Sequence, residues 1–319
     1  MDLLAHVSDE FLATQVSGEK GGMVLVDDDD IVRLLRAHDD DYAVMPGGAA
    51  ANTTLGAIRL GLRAAFLGKI GGDVTAESYW ENFTAAGGDG SRFKRAALPN
   101  GRCLSLVTPD GQRTMRTHLG AAMTLSPAEV TPADFAGCRH AHIEGYLMFN
   151  PALAEQVMVC ARAAGCTVSL DLASFEVVSV ARDWIFRQLR EGVQVVFANE
   201  DEARTLFGRE DSYENYAREL ARYGGIAAVK LGKDGAWVAQ GGALHRIAPV
   251  SVPRVVDTTG AGDAWAAGFL YGYLLGRPVP VAGAIGSCLG AENVQHLGAA
   301  IPDVHWPRVC AAVARLAGG

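Results

Sequence analysis

Apolar and polar positions alternate along residues 2–26 and 102–118, the second stretch folding about the turn signal Pro109-Asp110-Gly111. A period of two predicts strands, so both stretches are assigned to a small sheet. Elsewhere short apolar runs precede helix-like ones: 64–67 then 77–86, 167–170 then a helix near 185–189, and 195–198 then 200–207. Repeated strand–helix units predict a mostly parallel sheet covered by helices on both faces. The run 226–230 is followed by strands near 236–238 and 244–247 joined at Gly241 and Gly242, and three helices over about 261–275, 279–296 and 304–316 close the chain. No repeat or low-complexity linker intervenes. The economical arrangement is a single α/β domain over residues 1–319, with a small β-sheet lid drawn from about 2–27, 41–46 and 94–119.

One segment carries chemistry. Arg254-Val255-Val256 reads as a buried strand leading into Asp257-Thr258-Thr259-Gly260-Ala261-Gly262-Asp263, after which a helix begins at Ala264-Trp265. At such a junction the first helical amides have no intrahelical partner, the helix dipole adds positive charge, and glycines let an oxyanion approach. A carboxylate in the first turn at Asp263 faces the same place. That combination suits phosphoryl transfer, in which a hydroxyl needs a base and the moving phosphate needs fixed donors. The competing reading is a plain turn with a helix-capping acid. A dinucleotide-binding loop fits less well, because its third glycine falls at Trp265 and the segment lies late in the chain.

Composition narrows the partners. Hydrophobic residues make up 49% and charged residues 20%, a globular balance, and 28 basic against 36 acidic residues give −8. That charge argues against a broad hold on nucleic acid or a membrane surface. The apolar run 264–275 is shorter than the roughly 20 residues of a membrane span. Cysteines 103, 138, 160, 166, 288 and 310 form no zinc-like spacing and read as buried thiols. With neither a basic nor a sustained apolar leader after Met1, the expected setting is the cytoplasm.

The Gly-rich segment and its following helix resemble the C-terminal signature of the PfkB, or ribokinase-like, carbohydrate and nucleoside kinases. Three further motifs agree: Gly47-Gly48-Ala49-Ala50-Ala51-Asn52-Thr53 with Gly68-Lys69-Ile70-Gly71-Gly72-Asp73, Asn199-Glu200-Asp201-Glu202 as N-x-x-E, and Lys230-Leu231-Gly232-Lys233-Asp234-Gly235. Together they span about residues 47–269. The resemblance implies a three-layer ribokinase-like α/β core and an ATP-dependent phosphotransferase. It gives Asp263 the acceptor proton and makes the amides of Gly260, Ala261 and Gly262 the anion hole. By the same resemblance Asn199 binds nucleotide and Glu202 holds Mg²⁺ through water. Lys230, Leu231, Gly232, Lys233, Asp234 and Gly235, with Gly262 and Asn293, surround ATP, and Asp257 and Thr259 resemble a monovalent-cation site, usually K⁺.

For the acceptor, the resemblance points to Gly48 and Asn52, and to Asp2 as the aspartate that ends the family's first strand. The Gly-Asn-x-x-x-Asp pattern of that strand is absent before Asp2, so the expectation is that the chain begins late or lacks residues there. Within the family the flavour is that of adenosine kinases, seen at Gly101-Arg102-Cys103, at Thr108 to Met115, and at Glu144-Gly145-Tyr146-Leu147. Cys103, Met115, Thr117 and Leu119 would offer a flat base an apolar face and Phe175 a ring, although the same residues could simply pack the lid. Adenosine is the leading acceptor. A sugar kinase acting on ribose, fructose or a related acid, and a catalytically idle ligand-binding relative, are the alternatives. The partner is a small molecule, and the chain is a monomer or a homodimer. The acidic runs 27–30 and 39–41 suggest helix capping by Asp27 rather than metal. The eight histidines show no paired spacing and receive no role; Trp80 and Trp237 are packing residues.

Overall fold

Ser8 interrupts the first alternating stretch. In the computed structural model, which describes residues 1–39, 41–110 and 112–318, strand β1 (Asp2–His6) ends before Ser8, whose side chain accepts the Phe11 N–H and starts helix α1 (Asp9–Gln15). Asp9 and Glu10 occupy the first turn, where the helix dipole favours acids. The continuous sheet expected over 2–26 is therefore two strands separated by a helix, with β2 (Met23–Leu25) the second. Asp27 does cap α2 (Asp28–Ala37), accepting the Asp30 N–H. Gly111 of the expected turn and Asp40 of the second acidic run lie outside the described residues.

The next elements are β3 (Ala43–Met45), α3 (Ala49–Arg59), β4 (Lys69–Ile70), α4 (Val74–Ala85), β5 (Lys94–Arg95), β6 (Arg102–Val107) and β7 (Arg113–His118). The strand expected at 64–67 reduces to one bridge between Ala65 and Asp89, and the following helix starts earlier than expected because Asp73 caps it. Residues 1–48 and 63–125 make one compact unit with a five-stranded sheet in the order β2-β7-β6-β1-β3. Its register sets Asp2 opposite Cys103 and Cys103 opposite Thr117. Alternate residues share a face, so Asp2, Cys103, Met115 and Thr117 lie together. The opposite face carries Leu3, Ala5, Leu104 and Leu106, which form a core with Leu12 of α1 and Ile31, Leu34 and Leu35 of α2.

Residues 49–62 and 126–319 make the second unit. It contains α3, β8 (His140–Glu144), α5 (Pro151–Ala163), β9 (Thr167–Asp171), α6 (Phe175–Arg190), β10 (Val195–Asn199), α7 (Glu200–Phe207), α8 (Tyr213–Gly224) and β11 (Ile226–Lys230). After these come β12 (Ala236–Gln240), β13 (Ala243–Ile247), α9 (Ala261–Leu274), α10 (Val279–Asn293) and α11 (Trp306–Gly318). The sheet order is β13-β12-β11-β10-β9-β8, with β8 to β11 parallel and the last two strands antiparallel. Val195, Phe197, Ala228 and Val238 pack against Trp265, Ala266 and Phe269 of α9, burying one sheet face.

Residues 254–256 are not the buried strand expected from their apolar pattern. Val255 and Val256 are exposed, and the Val256 N–H reaches only the Val294 carbonyl, since the sheet already ends at β13. The six cysteines are free thiols, of which Cys160 and Cys166 are buried; the other four are half-buried rather than buried. Among the described residues no helix is long and apolar enough to cross a membrane.

Candidate active site

Parallel strands present their carboxyl ends on one side, and here Glu144, Asp171, Asn199 and Lys230 are the last residues of β8, β9, β10 and β11. Asp263 joins them from the first turn of α9. Gly260 begins that helix in the left-handed conformation, φ 72°, where a Cβ would also lie 2.5 Å from the Ala299 Cβ, so the turn needs glycine. The Asn52 side-chain amide donates to Asp263 Oδ2 at 2.9 Å, and the Thr53 hydroxyl donates to its carbonyl at 3.3 Å. Asn52, expected to grip the acceptor, is bonded here to the Asp263 carboxyl. Glu144 in turn accepts the Ala50 N–H at 2.9 Å, which ties the start of α3 to β8.

Asp263, Glu144 and Asp171 line a small cavity with Ala49, Ala50, Thr53, His142 and Ala173. Ala173 sits at φ 67°, an unusual conformation for a residue with a Cβ, and its N–H bonds Asp171 Oδ1 at 2.9 Å. Burial pushes the Asp263 pKa up to about 7; the Asn52 bond and the Lys230 charge oppose this, and the neighbouring Asp171 and Glu144 add to it. Burial likewise raises Glu144. Asp171 stays below the ordinary carboxylate value despite its burial, because the Lys230 ammonium lies 3.0 Å away. Lys230 is also buried, but Asp171 and Glu202 outweigh that and hold its charge. Its Nζ lies 3.3 Å from the place a Cβ on Gly262 would occupy, so a fixed cation underlies the Gly-rich turn.

The amides of that turn divide. The Ala261 N–H, expected in the anion hole, bonds the Thr258 carbonyl at 3.2 Å. Those of Gly260 and Gly262 meet no acceptor among the described residues, which leaves them for a ligand at the start of α9. Leu231 donates to the Gly235 carbonyl around the short turn at Gly232, Lys233 and Asp234, with Gly235 at φ 84°. Asn199 and Glu202 close a reciprocal capping box: the Asn199 N–H and side-chain amide donate to the two Glu202 oxygens at 2.8 and 2.7 Å. Burial, then the nearby Asp171, push the Glu202 pKa up to about 7. Each of its oxygens keeps a lone pair of the hard kind that Mg²⁺ takes, so Glu202 fits a water-mediated hold on that ion.

Asp257 accepts the Thr259 N–H at 3.0 Å and the Gly298 N–H at 2.6 Å, bracing the loop before α9 to the one after α10. Asn293 donates to the Thr259 carbonyl at 2.7 Å, while its own Oδ1 is buried without a partner among the described residues. In the smaller unit, Asp2 approaches so closely that a Cβ on Gly47 would lie 2.2 Å from its carboxylate oxygen. Gly48 follows at φ 106°, and the Thr117 hydroxyl donates to Cys103 Sγ at 3.2 Å. Met115 and Leu119 are half-buried, the latter just past the end of β7.

Asp171 and His142 escape a reading of the sequence, and Glu144 enters it only as part of a motif. Glu144 and Asp171 are acids that end apolar strands, a local pattern that does not by itself mark a site residue. The pair His140 and His142, two apart and so on one strand face, was the signal for the histidine, against the view that no histidines pair.

A buried carboxyl of raised pKa, free helix-start amides and a fixed lysine at the carboxyl ends of parallel strands are what a phosphotransferase of the α/β class requires. Residues 26–306 match the family described as pfkB family carbohydrate kinase. The structure of adenosine kinase from Sinorhizobium meliloti superposes with a TM-score of 0.85 at 33% identity, covering 99% of this chain and 96% of that one. A probable sugar kinase protein from Rhizobium etli CFN 42 gives 0.85 at 31%, covering 99% and 95%. The 2-dehydro-3-deoxygluconokinase of Bacillus subtilis is 31% identical over 277 residues, 79% of this chain and 81% of its own length. The chain belongs to the pfkB family, with its ribokinase-like α/β fold, and is an ATP-dependent phosphotransferase. Kinases of this family use ATP and Mg²⁺.

Proposed function

We propose that the chain transfers the γ-phosphoryl group of ATP to a hydroxyl of an uncharged acceptor, with adenosine the leading substrate and Asp263 as the base. The observation that carries this reading is the cavity in which Asp263 meets Glu144 and Asp171. Three carboxyl groups line it and the nearby lysine is already paired to one of them, so a phosphorylated or carboxylated acceptor would meet no free cation among the residues lining it. A neutral polyol brings hydroxyl donors to these acceptors instead. Phe175, half exposed and two residues beyond the cavity-lining Ala173, supports a substrate that carries a ring, as does the likeness to the S. meliloti adenosine kinase. Asp263 removes the hydroxyl proton as the oxygen attacks, and the Gly260 and Gly262 amides with the α9 dipole take up charge on the transferred group. Glu202 would hold Mg²⁺ through water, Asn199, Asn293 and the Lys230 to Gly235 turn would serve the nucleotide, and Asp257 and Thr259 would supply oxygens for a monovalent cation. Asp2, Gly48, Cys103, Met115, Thr117 and Leu119 remain acceptor residues in this proposal.

ADP release over nucleosides, neutral sugars and sugar acids, with Mg²⁺ and K⁺ present, tests it. Adenosine gives the highest kcat/KM, and acidic acceptors fall at least about tenfold below neutral ones. A preference for ribose or fructose would replace the nucleoside by a sugar. A preference for a sugar acid would overturn the argument from charge.

A further inference from the structure

Lys230 ends β11 with a single polar partner. Its ammonium donates to Asp171 Oδ2 at 3.0 Å, and of the three N–H groups an ammonium carries, the other two meet no acceptor among the described residues. Asp171 is itself fixed, because its second oxygen accepts the Ala173 N–H at 2.9 Å in the turn where Ala173 sits at φ 67°. The lysine is further steadied over the Phe197 ring, with Nζ 5.9 Å from the ring centroid. Toward α9, Nζ lies 3.3 Å from the place a Cβ on Gly262 would occupy. Apart from the neighbouring residues and backbone of α9 and the lysine's own Cε at 3.9 Å, no other described atom comes within 4 Å of that place. The glycine therefore leaves a space bounded by a fixed ammonium and by the start of α9, whose Gly260 and Gly262 amides also lack an acceptor. A lysine that only neutralised Asp171 would need no such space beside it.

We propose that Lys230 is a catalytic residue whose two remaining N–H groups, with the Gly260 and Gly262 amides, bind the γ-phosphoryl group of ATP, and that Asp171 is the positioning residue that holds the ammonium there. The assignment rests on the proposed function and adds to it a charged donor. As the bond from the acceptor oxygen to phosphorus forms and the bond from phosphorus to the ADP oxygen breaks, the acceptor proton passes to Asp263. Lys230 keeps its own protons and lends charge-assisted hydrogen bonds to the oxygens of the moving group. ADP lacks that group, so the lysine favours the triphosphate over the diphosphate product.

Calorimetric titration of the full chain with Mg²⁺ and either ADP or a non-hydrolysable ATP analogue, without acceptor, tests the assignment. Lys230→Met lowers the affinity for the analogue roughly tenfold or more and that for ADP by no more than about threefold. Lys230→Met combined with Asp171→Leu gives the same split while the pair's net charge stays at zero and no carboxylate is left unpaired, so neither instability nor overall charge produces it. Lys230→Arg keeps a cation and recovers most of the difference. Equal losses for the two nucleotides, or none, overturn the inference. In the wild type the ¹⁵Nζ resonance of Lys230, identified by its loss in Lys230→Arg, shifts with the analogue and not with ADP; a resonance indifferent to the analogue also overturns it. Because no acceptor enters these titrations, a protein that shows the split and yet phosphorylates no alcohol refutes the proposed function alone, and a wild type that binds neither nucleotide overturns both.

Discussion

Burial lifts the Asp263 pKa to about 7, with the Asn52 amide opposing the shift, so its carboxyl is half ionised near neutrality. As the proposed base it acts in the ionised form. The rate kcat/KM accordingly rises with pH, by about tenfold per unit below the midpoint, and levels off above it. Glu202 titrates in the same range, so the wild-type profile belongs to both groups. Asn52→Ala separates them: it removes a bond that favours the charged Asp263, so the midpoint moves to higher pH, and an unchanged or lower midpoint in the pH–rate profile would contradict the role given to Asn52. The Lys230–Asp171 pair makes a second prediction at this scale. Both side chains are 15% exposed, and Lys230→Met leaves a buried carboxylate unpaired, which destabilises by roughly 3–5 kcal/mol in urea unfolding. Adding Asp171→Leu recovers much of that loss; a single variant as stable as wild type would show the pair to be dispensable. Asp263 could be picked out in the sequence because glycines and a helix start surround it. Asp171 could not, since an acid ending an apolar strand has the same local pattern whether it faces solvent or a lysine 59 residues away.

The helices α9 and α10 lie with their backbones in contact. A Cβ on Gly268 would sit 2.7 Å from the Ile285 carbonyl oxygen, and one on Gly272 would sit 2.8 Å from the Ala282 Cα. This packing fixes the angle at which α9 presents the Gly260 and Gly262 amides and Asp263. Gly268→Val forces the helices apart, destabilising by roughly 1–3 kcal/mol and lowering kcat as well, since the amides and base move with the helix. Thermal unfolding and turnover measured together check it: a variant that loses stability but keeps kcat would uncouple packing from the site. The long apolar run of residues 261–275 was enough to predict α9 but not its partner, because an all-apolar helix shows no preferred face. The same ambiguity explains residues 254–256, whose three-residue pattern suits a strand, although no strand edge is there to receive it. At Ser8 the reverse holds: a serine followed by two acids is a helix start, and the alternation around it obscured that signal.

At the scale of the chain, four motifs in order were enough to point to the family and the ribokinase-like fold, because two of them, at 47–52 and 199–202, mark strand-to-helix junctions and the others mark the turn after β11 and the start of α9. Spacing could not show which strand ends converge, so the acidic cavity and its histidine emerged only once β8, β9 and α9 were assembled. The net charge of −8 argues against broad polyanion binding, and under the proposed function the acidic lining of the cavity disfavours anionic acceptors. The central claim is that Asp263 is the base for phosphoryl transfer. Its most direct test is turnover of Asp263→Asn with adenosine and Mg·ATP, measured beside ATP affinity and thermal unfolding. The account predicts a kcat lower by at least roughly 10²–10⁴-fold, with ATP affinity and fold retained. A variant that keeps more than about a tenth of wild-type kcat would contradict it.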